Sequence, residues 1–339
     1  MFRRLQSIVR RAFRVLRCSK KLQTGLLVVL LLGLCTATST ASPQPSSLTA
    51  QLAAPSTFDI ALIGDLGYNP AEESQFATLM QDLDRANIEF IVHDGDFKNG
   101  VFPCTDQVFQ DRLAGFQQSR HPFIYTPGDN EWTDCHRAGS DPLERLAKLR
   151  TLFFATGTSL GQTTIPLERQ SAAFPENARW TRGNVLFATL HVVGSNNNLG
   201  RTPEMDKEFT ARNAANIEWL KSSFQMAKQR NLAGVMVIMQ ADMMFEAPAN
   251  KRTGFNNTIA VLQAETEAFQ KPVVLVHGDS HYFKIDKVLV DRQNQRLLKF
   301  TRVETFGTPD AHWVKATIDA NSANVFEFSP VLVPENLAP

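Results

Sequence analysis

The stretch Phe58–Pro70, FDIALIGDLGYNP, constrains the fold more than any other. Its apolar run, Phe58–Ile63, is short and closes on Gly64-Asp65; a Gly-Tyr-Asn-Pro turn and a helical pattern follow. A short apolar run between turn residues fits a strand covered on both faces. Asp65 then stands at the carboxyl end of a central strand, the edge where open α/β sheets collect ligands. A single Asp in that place is usually a turn former or a helix cap. The chain repeats the arrangement three times, and the repetition carries the information.

Ala71–Ile88 sets Phe76, Leu79, Met80 and Leu83 on one helical face. Glu89–His93 reads as a strand ending in His93-Asp94-Gly95-Asp96, and Pro122–Thr126 as one ending in Pro127-Gly128-Asp129-Asn130-Glu131, with a helix over Thr105–Gln118 between them. Asp141-Pro142 is an N-cap with proline at the first helical position, opening a helix to about Phe154. Thr156–Asn184 reads as loop-rich. Strands at Val185–Val193, Val235–Met239 and Pro272–Val276 alternate with helices at Pro203–Arg230 and Asn256–Gln270, and the last strand ends in His277-Gly278-Asp279-Ser280-His281. Short strands at Lys284–Val290, Arg296–Val303, Trp313–Ile318 and Asn324–Phe328 make a mostly β tail. With no internal repeat and no second linker, the pattern predicts one α/β domain over 58–330.

Of 339 residues 43 % are hydrophobic, enough to bury a sizeable core. The formal charge of +1 hides an asymmetry: residues 1–41 hold eight Lys/Arg and no acid, and the remainder sets 27 basic residues against 34 acidic ones. An acidic body argues against nucleic acid as a partner. Within 1–41 a basic region, including Arg10-Arg11-Ala12-Phe13 that resembles a twin-arginine export motif, leads to the apolar run Gly25–Cys35 and then to small residues ending at Ala41. That order predicts a secretory signal. The run is shorter than the about 20 residues of a membrane span. The chain is therefore expected outside the cytoplasm, periplasmic or extracellular, as a monomer, touching a membrane only if the signal stays uncleaved. Residues 42–57 are rich in Ser, Pro, Ala and Thr and read as a linker. Cys18 and Cys35 lie in the signal; Cys104 and Cys135 remain, and in an exported chain they are expected to pair, closing a loop of roughly 30 residues.

Asp65, Asp96, Asp129 and Asp279, the last with His281, thus occupy four strand ends. The preceding glycines are expected to let the backbone approach closely and adopt positive φ, so that each carboxylate turns back over the sheet edge. Carboxylates gathered on one edge repel one another without a cation, which points to metal, and with this number to two ions.

The ordered set GDLG, GD, GDNE and GDSH resembles the calcineurin-like metallophosphoesterase superfamily over about 58–282, and GDLGY is most similar to its purple acid phosphatase branch. Ala214–Lys228, with Trp219-Leu220, resembles the family's helix before the next ligand strand. The resemblance implies a four-layer α/β/β/α sandwich, two metals at the strand ends, and hydrolysis of small phosphate mono- or diesters by a metal-bridging hydroxide.

Several positions depart from the family's pattern. Asp65-Leu66-Gly67 lacks its imidazole, so Tyr68 or Asn99 could fill the first ion's sphere; Asn99 stands where the purple acid phosphatase branch has its ligand Tyr, which speaks against a coloured Fe(III) site. Asp129 replaces a ligand Asn, Asn130 replaces the His that protonates the leaving group, and Glu131 is expected behind them. Gln240, or Asp242, stands where a ligand His is wanted, and Asp279 replaces another. The alignment gives one ion Asp65, Asp96 and His281, and the other Asp96, Asp129, Gln240 and Asp279, with Asp96 the bridging catalytic carboxylate. Oxygen-rich ligation favours Mn²⁺, Mg²⁺ or Ca²⁺ over Fe or Zn²⁺. So many carboxylates weaken the ions as Lewis acids. A general acid is worth about 10²–10⁴-fold, so its loss at Asn130 favours diesters, or esters with good leaving groups, over alkyl monoesters.

His93 and His277 are expected behind the ligands or in the core, Asp94 in a turn, and Trp132 and Trp180 in packing. His136 and His312 stand alone in the sequence, and His312 could replace the missing acid. Asn196–Asn198, Asn197 foremost, and Arg201 lie in a loop suited to substrate contacts. Three functions fit: an exported phosphoesterase; a binding protein on the same scaffold with weak or no turnover, given the missing histidines; and a cell-surface interaction protein with a structural Ca²⁺ clip.

Overall fold

The computed structural model describes residues 57–337; the expected signal, 1–41, and all but the last residue of the expected linker lie outside the described residues. In chain order β1 (Thr57–Ile63) leads to α1 (Pro70–Arg85), β2 (Ile91–His93), α2 (Asp106–Gln117), β3 (Phe123–Tyr125) and α3 (Pro142–Phe153). There follow β4 (Glu168–Arg169), β5 (Ala178–Arg182), β6 (Val185–Thr189), α4 (Pro203–Gln229), β7 (Gly234–Ile238), α5 (Asn256–Phe269) and β8 (Val273–His277). β9 (Lys284–Asp286), β10 (Phe300–Glu304), β11 (Trp313–Asp319) and β12 (Phe326–Val331) complete the chain.

The strands form two sheets, ordered β12-β11-β1-β2-β3 and β4-β5-β6-β7-β8-β10-β9. β1, β2 and β3 run parallel, as do β6, β7, β8 and β10. Alternation along the strands assigns the layers. Phe58, Ile60 and Leu62 of β1 meet Phe187, Ile238, Val274 and Val276 between the sheets. The alternate residues Ala61 and Ile63 pack on Leu79 and Leu83 of α1, Phe116 of α2 and Leu149 of α3. Val235, Val237 and Leu275 of the second sheet pack outward on Leu220 and Phe224 of α4 and Leu262 of α5. Each such side chain contributes about 1.5–3 kcal/mol when fully buried. The result is a four-layer α/β/β/α sandwich.

Helix starts follow the local sequence. The Asn69 side chain accepts the amides of Ala71 at 3.0 Å and Glu72 at 3.1 Å, with Pro70 at the first helical position. Asn69, and not Asp65, is therefore the cap of α1, which leaves the Asp65 carboxylate for other work. Thr105 and Asp141 cap α2 and α3 in the same way.

The stretch Thr156–Asn184, read as loop-rich, contains β4 and β5. β5 escapes sequence reading because only alternate residues of ARWTR turn inward, where Trp180 stacks on Phe187 at 5.4 Å. The strand begun at Val185 ends at Thr189 rather than Val193, and the His191 amide turns instead to Asn177 Oδ1 at 2.7 Å. The β tail does not stand apart: β11 and β12 extend the first sheet beside β1, and β10 and β9 extend the second. Among the described residues no helix is long and apolar enough to cross a membrane.

Candidate metal centre

All the acidic strand ends lie at the carboxyl edge of parallel strands: Asp65 after β1, Asp96 after β2, Asp129 after β3 and Asp279 after β8. Of the glycines before these four aspartates, only Gly95 takes the expected positive φ, 125°. Asp65 (φ 52°), Asp96 (φ 57°) and Asp279 (φ 77°) themselves adopt the left-handed backbone. Asp tolerates that region better than most residues, at about 1–2 kcal/mol each. Gly128 and Gly278 allow the expected close approach: a Cβ on Gly128 would lie 2.0 Å from Asp96 Oδ1, and one on Gly278 would lie 1.9 Å from Asp65 Oδ2.

Asp96, Asp129 and Asp279 each bring one ligand oxygen to within 4.8 Å of the others. Asp65 lies alongside. Its Oδ2 accepts the Asp279 amide at 3.1 Å, and its Oδ1 stands 3.5 Å from His281 Nε2. Tyr68 joins the two groups: its hydroxyl is 3.4 Å from Asp65 Oδ1, 3.3 Å from Asp96 Oδ2 and 3.5 Å from His281 Nε2. Burial, then repulsion from Asp129, Glu131, Asp65 and Asp279, pushes the Asp96 carboxyl well above the usual range. Burial and then Asp129 and Asp65 do the same to Asp279, and burial and Asp134 raise Asp129 to about 6. Burial lowers the His281 pKa, but the Asp65 carboxylate outweighs it and the net shift is upward.

Gln240 lies in the cluster in an orientation the sequence does not show. Its Oε1 accepts the Gly194 amide at 2.6 Å, so its Nε2 donates to Asp96 Oδ2 at 3.1 Å. Here it is a hydrogen-bond donor to the expected bridging carboxylate rather than a free ligand oxygen. Asp242 offers its amide to Asp279 Oδ2 at 3.0 Å while its own carboxylate accepts from the Met244 amide. Asn99 has its Oδ1 engaged locally, accepting the Val101 amide at 2.7 Å. Asn130 is buried and donates to the Tyr68 hydroxyl at 3.1 Å. Glu131 is fully buried; its two oxygens accept the amides of Phe97 at 2.6 Å and Gly128 at 3.0 Å, tying the segments after β2 and β3 together. Burial raises its pKa to about 7.

Cys104 and Cys135 form a disulfide, with Cα atoms 5.7 Å apart, joining the same two segments. His277 is buried, with Nδ1 donating to the Gly278 carbonyl at 2.8 Å. His93 packs among Phe76, Phe116 and Tyr125, and burial lowers its pKa to about 3. Asp94 lies behind the cluster, accepting from Thr305 Oγ1 at 3.0 Å. His312 is held by the Val333 amide at 3.2 Å, and His136 Nδ1 lies 2.8 Å from the Thr133 carbonyl. Asn197 is fully buried, with its amide spent on Gly254, Val193 and Arg212. Arg201 is clasped by Asp134 at 2.5 Å.

Two residues escaped sequence reading. Lys98 is buried and its ammonium donates to the carbonyls of Asn99 at 2.7 Å and Asn130 at 2.8 Å, a fixed cation beside the acids. Ser195, after β6, donates its hydroxyl to Asp129 Oδ2 at 2.7 Å. Neither lies in a periodic pattern that would mark it.

The residues fit a divalent cation. A Cβ built on Gly194 would lie 2.8 Å from both Asp129 Oδ2 and Asp279 Oδ1, so the chain leaves a small space lined by carboxylate oxygens. Buried carboxylates this close are tolerable only when paired or metal-bound. Beside them opens a cleft of about 210 Å³ walled by Ser195, Asp242, Met244 and Asp279. A larger groove of about 650 Å³, near Glu89, Trp180 and Arg230, lies at the opposite edge of the strands, away from the acids.

No family model matches the sequence, and no curated protein matches it. Solved structures of the calcineurin-like metallophosphoesterase fold are similar to it. A dimetal phosphatase from Danio rerio shares 12 % identity at a TM-score of 0.45, covering 76 % of this chain and 92 % of that one. A purple acid phosphatase from yellow lupin shares 13 % at 0.44, covering 84 % of this chain and 55 % of that one. The TT1561 protein of Thermus thermophilus shares 10 % at 0.43, covering 81 % and 99 %. The two sheets, the helices outside them and the acidic strand ends make the four-layer α/β/β/α sandwich that the sequence resemblance to the calcineurin-like metallophosphoesterases implies.

Proposed function

We propose that the protein is an exported, divalent-cation-dependent phosphoesterase acting as a monomer on small phosphate esters. The observation that carries the reading is the convergence of Asp96, Asp129 and Asp279 within 4.8 Å, with Asp65 and His281 alongside. Asp65, Asp96, Asp129, Asp279 and His281 would hold two ions, and an oxygen-rich set favours Mn²⁺, Mg²⁺ or Ca²⁺. Bound there, such ions would polarise a phosphoryl oxygen and make water a better nucleophile. Tyr68 keeps its proton, because burial and the carboxylates of Asp96 and Asp65 push its pKa up. It is therefore a proton-bearing group at the Asn130 side chain, whose amide has no proton to transfer. Glu131 and Lys98 keep the Asp96 and Asp129 segments in place from behind. The disulfide supports export.

Hydrolysis of a chromogenic phosphodiester and monoester with Mn²⁺, Mg²⁺, Ca²⁺ and Zn²⁺, with Asp96→Ala as control, tests the reading. Elemental analysis of the purified protein supplies ion identity and number. Activity that survives intact in Asp96→Ala would sink the proposal. A second reading, a metal-binding protein with weak or no turnover, is favoured by Asn130 and by the Gln240 oxygen held at Gly194. It predicts cation-dependent stabilisation with no hydrolysis of either ester.

A further inference from the structure

We infer that Ser195 is a positioning residue for the acidic cluster, delivered there by a left-handed turn built for that purpose; the inference rests on the metal-site reading above. Four consecutive non-glycine residues, Ser195, Asn196, Asn197 and Asn198, have φ of 52°, 55°, 56° and 67°. Left-handed residues outside glycine normally occur singly, and such strain persists only where the surroundings over-determine it.

The surroundings do so here. Asn196 Oδ1 accepts the Gly254 amide at 2.9 Å, and Asn197 Nδ2 donates to the Gly254 carbonyl at 3.1 Å. Arg212, fully buried, donates to Asn197 Oδ1 at 2.6 Å and to Glu208 Oε1 at 2.6 Å. Asn198 Nδ2 reaches Glu208 Oε2 at 2.9 Å. The three asparagines are thus spent on holding the turn, and the side chain it presents to the cluster is Ser195. Its hydroxyl sits 2.7 Å from Asp129 Oδ2 and 3.2 Å from Asp134 Oδ1. That bond fixes the rotation of the Asp129 carboxylate, and Asp134 is itself anchored by Arg137 and Arg201. An outer partner of a ligand typically changes metal affinity about 10–100-fold when removed.

The test uses Ser195→Gly, which accepts a positive φ freely and removes the hydroxymethyl group that carries the hydroxyl. Mn²⁺ binding to the purified protein is titrated by electron paramagnetic resonance, with the melting temperature of the chelated protein measured in parallel. The expected result is a melting temperature equal to or above that of wild type, with Mn²⁺ affinity lower by about 10–100-fold. Gly254→Ala, whose Cβ would lie 2.1 Å from the Asn196 carbonyl oxygen, is expected to weaken Mn²⁺ binding without touching a carboxylate. Folded Ser195→Gly with wild-type Mn²⁺ affinity overturns the inference alone. Wild-type protein that binds none of Mn²⁺, Mg²⁺ and Ca²⁺ overturns the metal-site reading and the inference with it.

Discussion

The Asn130 side-chain amide donates to the Tyr68 hydroxyl at 3.1 Å, and that hydroxyl stands between the carboxylates of Asp65 and Asp96. An amide that cannot release a proton is thus paired with a phenol that can. Tyr68→Phe is expected to lower kcat for alkyl esters by about 10²-fold, and to leave nitrophenyl esters, whose leaving groups need no acid, nearly unchanged. A leaving-group series at saturating Mn²⁺ measures this; an equal loss across the series would remove Tyr68 as proton donor.

Asp96 is buried, and repulsion from its acidic neighbours adds to the penalty of its burial. Removing one of several crowded charges relieves the chelated protein. Asp96→Ala is therefore expected to melt higher than wild type in chelator. Wild type should gain about 2.7 kcal/mol in Mn²⁺ at 100 times its Kd, and the variant should gain almost none. Thermal melts with and without Mn²⁺ provide the comparison.

Glu176 and His191 form a fully buried pair at 2.8 Å through Oε1, and Arg150 forks onto both carboxylate oxygens, at 2.5 Å to Oε1 and 3.0 Å to Oε2. Burial alone would raise the Glu176 pKa, but hydrogen bonds and charge from His191 and Arg150 lower it to about 2. Burial lowers His191. A depressed carboxylate contributes stability above its unfolded pKa of about 4.3, lost as pH falls through the folded value. A depressed imidazole is protonated first in the unfolded chain, which erodes stability below about pH 6.5. The contribution of this pair should therefore decline in two stages on acidification. Glu176→Gln should remove the lower stage and cost about 3–5 kcal/mol at neutral pH by stranding Arg150. Urea unfolding across pH 3–8 checks both.

Cys104→Ser with Cys135→Ser opens a bridge spanning 31 residues and is expected to destabilise the protein by about 2–4 kcal/mol. Because both cysteines pack against the Asn130 and Glu131 backbone, Mn²⁺ affinity should fall as well. Denaturation midpoints and Mn²⁺ titration of the double variant test this; unchanged affinity would confine the bridge to stability.

Much of this arrangement is legible in the chain. Apolar runs closing on Gly-Asp locate β1 and β8; parallel pairing puts Asp65, Asp96 and Asp129 at one edge of the first sheet, and Asp279 joins them from the second. What stays hidden depends on contacts distant in sequence. Gln240 reads as a ligand by position, and only the Gly194 amide fixes which end of its side chain meets Asp96. Ser195 and the asparagines after it read as an ordinary polar loop, because nothing local announces a left-handed turn without glycine. Lys98 looks like a surface lysine until the carbonyls of Asn99 and Asn130 draw it inward.

The Cys104–Cys135 link fastens the segment carrying Asp96 to the one carrying Asp129. The acidic edge is thereby tied to the electron supply of its surroundings. Where glutathione keeps thiols reduced, as in the cytosol, the fastening is open. A copy that has crossed into an oxidising space gains it. Assembly of the acidic edge would then follow the redox state of whichever compartment holds the chain.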